Sequence, residues 1–143
     1  MKIVLASDHG GYQLKEAVKS ALVERGYEIV DLGTDSEAPV DYPEYGRAAG
    51  EYVVSGRAER GIVFCGTGVG ISIAANKVSG VRCANATDDE RARLASAHNH
   101  ANMLALGGRI VSEADALRYI GVWLDTPWES GRHDRRVAML DDM

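Results

Sequence analysis

An α/β fold built on a parallel sheet is what this 143-residue sequence predicts, and three features predict it. Five short apolar runs each lead into an amphipathic stretch of helical period. The runs are almost continuously apolar rather than alternating, the pattern of strands covered on both faces. No repeat, low-complexity tract or linker interrupts the series, so residues 1–143 read as a single domain. Consecutive strand–helix units need right-handed crossovers. At this length they predict a three-layer Rossmann-like (flavodoxin-like) sheet of five parallel strands, order 2-1-3-4-5, with a C-terminal helix extension. Chain direction then reverses between strands 1 and 3, opening a crevice at the strand C-termini where ligands bind.

Lys2-Ile3-Val4-Leu5-Ala6-Ser7 is the first strand and ends in Asp8-His9-Gly10-Gly11. Leu14, Val18, Ala21 and Leu22 recur at helical spacing from about Tyr12 to Arg25, and Gly26 is the stop signal. Glu28 to Gly33 is the second strand, and Asp41-Tyr42-Pro43 opens a helix over Glu44 to Ser55, with proline suited to a first turn. Gly61-Ile62-Val63-Phe64 is the third strand; it feeds Cys65-Gly66-Thr67-Gly68-Val69-Gly70 and then the Ala-rich helix through Asn76-Lys77. Val81 to Ala86 is the fourth, and Thr87 or Asp88 caps a helix running to about Ala97. Beyond the junction His98-Asn99-His100-Ala101-Asn102, Met103 to Leu106 is the fifth strand, ending in Gly107-Gly108-Arg109. A helix from Ser112 to about Leu124 stops at Thr126-Pro127, and Ser130 to Asp142 is a short, highly charged helix.

The net charge of -5 argues against non-specific nucleic-acid binding. No apolar run approaches the length of a membrane span and Met1-Lys2 leads straight into a strand, so a cytoplasmic protein without membrane contact is expected. Cys65 and Cys83 are too few for a disulfide framework, and no Cys/His pair at ligand spacing suggests a metal.

The chemistry concentrates on the third strand's exit. A triple-glycine turn before a helix directs N–H groups at whatever lies above the helix N-terminus, an anion site, and the same field favours a thiolate at Cys65. Ile71 stands where a dinucleotide fingerprint needs glycine, and Ala75-Asn76-Lys77 lacks the Gly-Lys-Ser/Thr of a P-loop. A tight turn that follows a buried cysteine is the plainer alternative. The predicted strand order sets Asp8-His9 beside Cys65-Gly66-Thr67. His9 suits an anion or a proton relay, while Asp8 also serves as a turn residue. Arg132 and Arg136 share a helix face and could fork onto one phosphate, or simply lie solvated among Asp134, Arg135 and Asp141. Arg109 falls on the ligand edge of the sheet. His98, at the end of the fourth helix, falls at the opposite edge from Cys65, so a catalytic role would require it from another subunit; otherwise it meets helix-terminal carbonyls. Cys83 reads as a small core residue.

Together, Asp8-His9-Gly10-Gly11, Asp41-Tyr42-Pro43, Cys65 to Gly70, Ala74-Ala75-Asn76-Lys77, His98-Asn99 and Gly131-Arg132-His133 with Arg136 resemble the ribose-5-phosphate isomerase B family, which includes the galactose-6-phosphate and allose-6-phosphate isomerases. The resemblance spans nearly the whole chain. It implies aldose–ketose isomerisation of a phosphorylated sugar through a cis-enediol, without metal or other cofactor. By that resemblance Cys65 is the base between C1 and C2, Thr67 assists at the oxygens, and the amides of Gly66, Gly68 and Gly70 hold the enediolate. His98 opens the furanose with Asp8 on the sugar hydroxyls. His9, Arg132 and Arg136 bind phosphate, with Arg109 a further candidate, and Asn99 and Tyr42 line the sugar. The family implies a homodimer or dimer of dimers with shared sites. Some members use a glutamate six residues beyond the cysteine position; Ile71 stands there, which marks a cysteine-type member.

The chain departs from the family at His100, where aspartate is common, and at Asn85-Ala86-Thr87. The expected substrate is ribose 5-phosphate, with allose 6-phosphate or galactose 6-phosphate the near alternative. A non-catalytic phospho-ligand or flavin module is the rival in another class; few aromatic residues weaken flavin, and no Cys-x-x-Cys supports a thiol-redox protein.

Overall fold

The computed structural model describes residues 1–143. Its strands are β1 (Lys2–Ser7), β2 (Glu28–Asp31), β3 (Arg60–Cys65), β4 (Cys83–Asn85) and β5 (Met103–Gly107). Its helices are α1 (Tyr12–Glu24), α2 (Tyr42–Val54), α3 (Val69–Asn76), α4 (Asp89–Ala97), α5 (Glu113–Asp125) and α6 (Asp134–Asp141), the last preceded by a 3-10 turn over Gly131–His133. All strand pairs are parallel. No helix is long and apolar enough to cross a membrane.

Alternate residues of each central strand feed opposite layers. Ile3 and Leu5 join Leu14, Val18 and Leu22 of α1, Ala92 and Ala95 of α4, and Tyr119, Ile120 and Trp123 of α5 in one core. Val4 and Ala6 join Ala49 and Val53 of α2 with Ile71 and Ala75 of α3 in the other. Caps stand where the side chains dictate: Asp88 accepts from the Arg91 N–H and Ser112 from the Asp115 N–H.

The strand order is β2-β1-β3-β5-β4, which corrects the expected 2-1-3-4-5 at its last two places. Burial explains the exchange. All of β5 is buried, and it pairs on both sides, Cys65 with Gly107 and Asn85 with Ala105. By contrast β4 is short and half-buried, and polar Arg82 and Asn85 flank its apolar part. Its backbone is met by a side chain instead of another strand: Asn76 Nδ2 donates to the Cys83 carbonyl at 2.9 Å, and the Cys83 N–H donates to Asn76 Oδ1 at 2.8 Å. A side-chain amide thus occupies ladder groups that would otherwise pair with a further chain. The final charged segment is also broken, with Arg132 in the 3-10 turn and Arg136 in α6.

At the other side of the sheet a buried ion pair fixes α1 to β2. Lys15, fully buried, donates to both oxygens of Asp31 at 2.9 and 2.7 Å and to Glu16 at 2.9 Å. Asp31 also accepts from Lys19 and from the Gly33 N–H, both at 2.9 Å. The β2 exit is thereby tied to the Ser7-Asp8 turn, since the Ser7 N–H donates to the Gly33 carbonyl.

Candidate active site

The exits of β1, β3 and β5 make one crevice. Moving β5 beside β3 brings its exit against the glycine loop: the Gly108 N–H donates to the Cys65 carbonyl at 2.8 Å and the Arg109 N–H to the Gly66 carbonyl at 3.0 Å. The Arg109 side chain lies over Gly66 and reaches Gly10, since a Cβ built on Gly66 would stand 3.2 Å from Arg109 Nη1 and one on Gly10 3.4 Å from Arg109 Cζ. A guanidinium therefore sits over the join of the two polar loops.

Cys65 ends β3 and is nearly buried, at 5% exposure. The N–H of Gly68 donates to its sulfur at 3.1 Å. Gly68 is the N-cap of α3 with φ +84°, a left-handed conformation that suits glycine, and a Cβ there would stand 2.6 Å from Asn85 Oδ1. Thr67 is exposed at the rim, its Oγ1 accepting from the Val69 N–H at 3.2 Å. The Tyr42 ring covers the first turn of α3, 2.7 Å from where a Cβ on Gly70 would be. The first N–H groups of any helix lack intrahelical partners, so α3 points its positive end into this crevice.

Asp8 is buried and its Oδ1 accepts from the Gly11 N–H at 3.1 Å, so the turn role read from the sequence is present. His9 Nδ1 accepts from the Val40 N–H at 3.2 Å, leaving the proton on Nε2 to donate elsewhere. Asp8, His9, Tyr42, Cys65, Gly66, Thr67, Gly68, Gly70 and Arg109 thus share one end of the sheet.

His98, Asn99, Arg132 and Arg136 do not join them. His98 is the C-cap of α4, before β5 begins, whereas Cys65 pairs with the residue that ends β5. The length of β5 alone separates the two levels by about 13 Å. Exposed Arg132 and Arg136 flank His133, whose ring stacks on His98 with centroids 4.2 Å apart. A single chain therefore holds two sets of candidate residues at opposite ends of its sheet.

The second set has members that the sequence reading passed over. Glu129 Oε1 lies 3.6 Å from His98 Nε2 and 3.8 Å from His133 Nε2. These donor atoms lie within 4.8 Å of one another, the spacing of a cation site. The two rings are only 19° from parallel, however, so their lone pairs do not converge on one point as ligands of a single ion must. Burial, then His98 and Arg132, hold His133 below the ordinary imidazole range. Trp128 stacks on His100 at 4.7 Å, and burial followed by Arg82 and Arg60 lowers the pKa of His100 in the same way. Cys83 is pushed up to about 12 by burial.

Comparison with known proteins concerns the chain as a whole. Residues 3–140 match the family described as Ribose/Galactose Isomerase. Ribose-5-phosphate isomerase B of Escherichia coli K12 is 43% identical over 139 residues, 97% of this chain and 93% of that protein. The structure of ribose-5-phosphate isomerase B from Clostridium thermocellum superposes with a TM-score of 0.98 at 49% identity, covering 99% of this chain and 96% of that one. That of the Mycoplasma genitalium enzyme with bound ribulose-5-phosphate gives 0.93 at 36% identity, covering 99% and 94%. The chain belongs to the ribose and galactose isomerase family.

Proposed function

We propose that the protein interconverts ribose 5-phosphate and ribulose 5-phosphate, as a homodimer or dimer of dimers whose active sites each combine the Cys65 end of one chain with the His98 end of another. The observation that carries this reading is the separation of the two residue sets within one chain, together with the chain's family. A partner surface is available beside the loop: Val69 and Ile73, one turn apart on α3, are 51% and 56% exposed, and Tyr42 is 40% exposed. These apolar groups rim the crevice where a second copy would cover them.

In the reaction His98 and Asp8 open the furanose. Cys65 Sγ takes the proton from C2 of the open aldose and returns it to C1, while Thr67 serves the proton shift between O2 and O1. Negative charge builds on those oxygens only as the enediolate forms, so donors fixed at a helix N-terminus act on the transition state more than on the substrate. His9 Nε2 with Arg132 and Arg136 of the partner holds the phosphate, and Arg109 adds positive charge over the loop. Asn99 and Tyr42 line the sugar. No step requires a metal, and the reading places the protein in the cytoplasm.

Side-by-side turnover of ribose 5-phosphate, allose 6-phosphate and galactose 6-phosphate with EDTA present tests the proposal. A higher kcat/KM for the pentose is expected. Preference for a hexose would move the substrate, and no turnover of any would leave a phospho-ligand module.

A further inference from the structure

We propose that Glu129 is a positioning residue for His98: its carboxylate accepts a hydrogen bond from the Nε2–H of His98, so that Nδ1 is the nitrogen presented to the sugar. This rests on the ring-opening role proposed above for His98.

Two groups face the His98 ring, the His133 imidazole and the Glu129 carboxylate, and a backbone hydrogen bond ties the turn that carries Glu129 to the end of α4. The Glu129 N–H donates to the Ala97 carbonyl at 3.0 Å, which ties the Glu129 turn to the helix end that His98 caps. His133 stacks flat on His98, and Trp128 leans on His133 from 6.0 Å, so the imidazole plane is fixed from behind. The Glu129 carboxylate then faces Nε2 of both rings. His133 is 6% exposed and its Nε2 is shut off from solvent without a hydrogen-bond partner. An orphaned buried nitrogen is rare, and here the nearby acceptor is the same carboxylate. Both separations exceed a hydrogen bond; Glu129 is half-exposed and so free to turn, and in the proposed arrangement it rotates to close them, as catalytic contacts tighten when substrate arrives. A carboxylate has two oxygens and can accept from both rings at once.

The consequence is a defined tautomer. With its proton on Nε2, His98 has a lone pair on Nδ1, which accepts the proton of the anomeric hydroxyl. The C1–O1 bond becomes a carbonyl as the C1–O4 bond breaks, and the proton held on Nδ1 passes to O4. No net proton is gained or lost. During the transfer the ring is an imidazolium, and the Glu129 carboxylate offsets its charge.

The test separates ring opening from proton transfer at carbon. Ribulose 5-phosphate has its O5 esterified and cannot close a furanose, so solvent-deuterium exchange at its C1 needs Cys65 chemistry and no ring opening. Glu129→Gln is expected to lower kcat/KM on ribose 5-phosphate at least about tenfold. Its deuterium exchange into ribulose 5-phosphate should stay within about twofold of the parent protein. In nitrogen-15 spectra the parent His98 should show the Nε2-protonated tautomer and Glu129→Gln a mixture. Turnover of ribose 5-phosphate by Glu129→Gln within twofold of the parent, or a proportional loss of exchange and turnover, would overturn the proposal. His98→Asn distinguishes the two levels: if it loses ribose 5-phosphate turnover while Glu129→Gln does not, only the role of Glu129 falls. If His98→Asn turns over ribose 5-phosphate normally, the ring-opening role falls and takes this inference with it.

Discussion

The backbone N–H of Gly68 donates to Cys65 Sγ at 3.1 Å, from the residue that begins α3 in a left-handed conformation. The sulfur is thus held by the same turn that would hold an enediolate. Cys65→Ala is expected to abolish turnover while sugar-phosphate binding, measured calorimetrically, remains. Cys83→Ser should leave kcat unchanged, because a thiol pushed up to about 12 stays protonated at any working pH.

Gly68→Ala places a methyl group 2.6 Å from Asn85 Oδ1 and 3.0 Å from the Leu106 carbonyl carbon. The left-handed backbone adds about 1–2 kcal/mol of strain. The variant should fold with a lower Tm and lose about 100-fold in kcat, since donors misplaced by an ångström no longer meet the reacting atoms. Thermal unfolding and steady-state kinetics on the same preparation check both halves.

The sequence disclosed this loop because its chemistry is local: a β-rich run, three glycines and an Ala-rich segment leave little choice of structure over Gly61 to Lys77. The places of β4 and β5 were less legible, since both read as apolar runs and only burial on two sides separates them. Polar Arg82 and Asn85 were the available signal for an edge strand. Glu129 lay hidden for another reason. Its meeting with His98 depends on a turn far along the chain that folds back onto the end of α4. Two residues that touch only through tertiary packing leave no periodicity in the sequence.

Lys15→Met leaves Asp31 with Lys19 and the Gly33 N–H but removes its buried partner. The expected loss is about 2–3 kcal/mol, below the full penalty of breaking a buried pair because Lys19 remains. Lys15→Met with Asp31→Leu should recover part of it, and denaturant titration of the two variants shows whether it does.

Burial pushes the Asp31 carboxyl up, but hydrogen bonds from Lys15, Lys19 and Gly33 outweigh it and hold the group below 3.8. The folded form therefore binds this proton less readily than the unfolded chain. Its contribution to stability is complete above the unfolded value and is lost as pH falls through the folded one. Asp31→Asn should flatten the acid side of the stability profile, seen as a smaller drop in unfolding free energy as pH is lowered from neutral through and below the ordinary carboxylate range.

Arg136→Ala and His9→Ala remove donors proposed for the same phosphate from opposite ends of two chains. Each charge-assisted hydrogen bond is worth about 1.5–3 kcal/mol, so KM should rise roughly 10- to 150-fold for either variant. Inorganic phosphate, as a competitive inhibitor, should weaken in parallel.

Mixing inactive Cys65→Ala chains with inactive His98→Asn chains tests most directly whether one active site draws on two chains. Hybrid dimers made by co-refolding would contain one site with both Cys65 and His98 intact, so ribose 5-phosphate turnover should return to about half the parent activity per hybrid dimer. Verified hybrids that stay inactive would contradict the shared site.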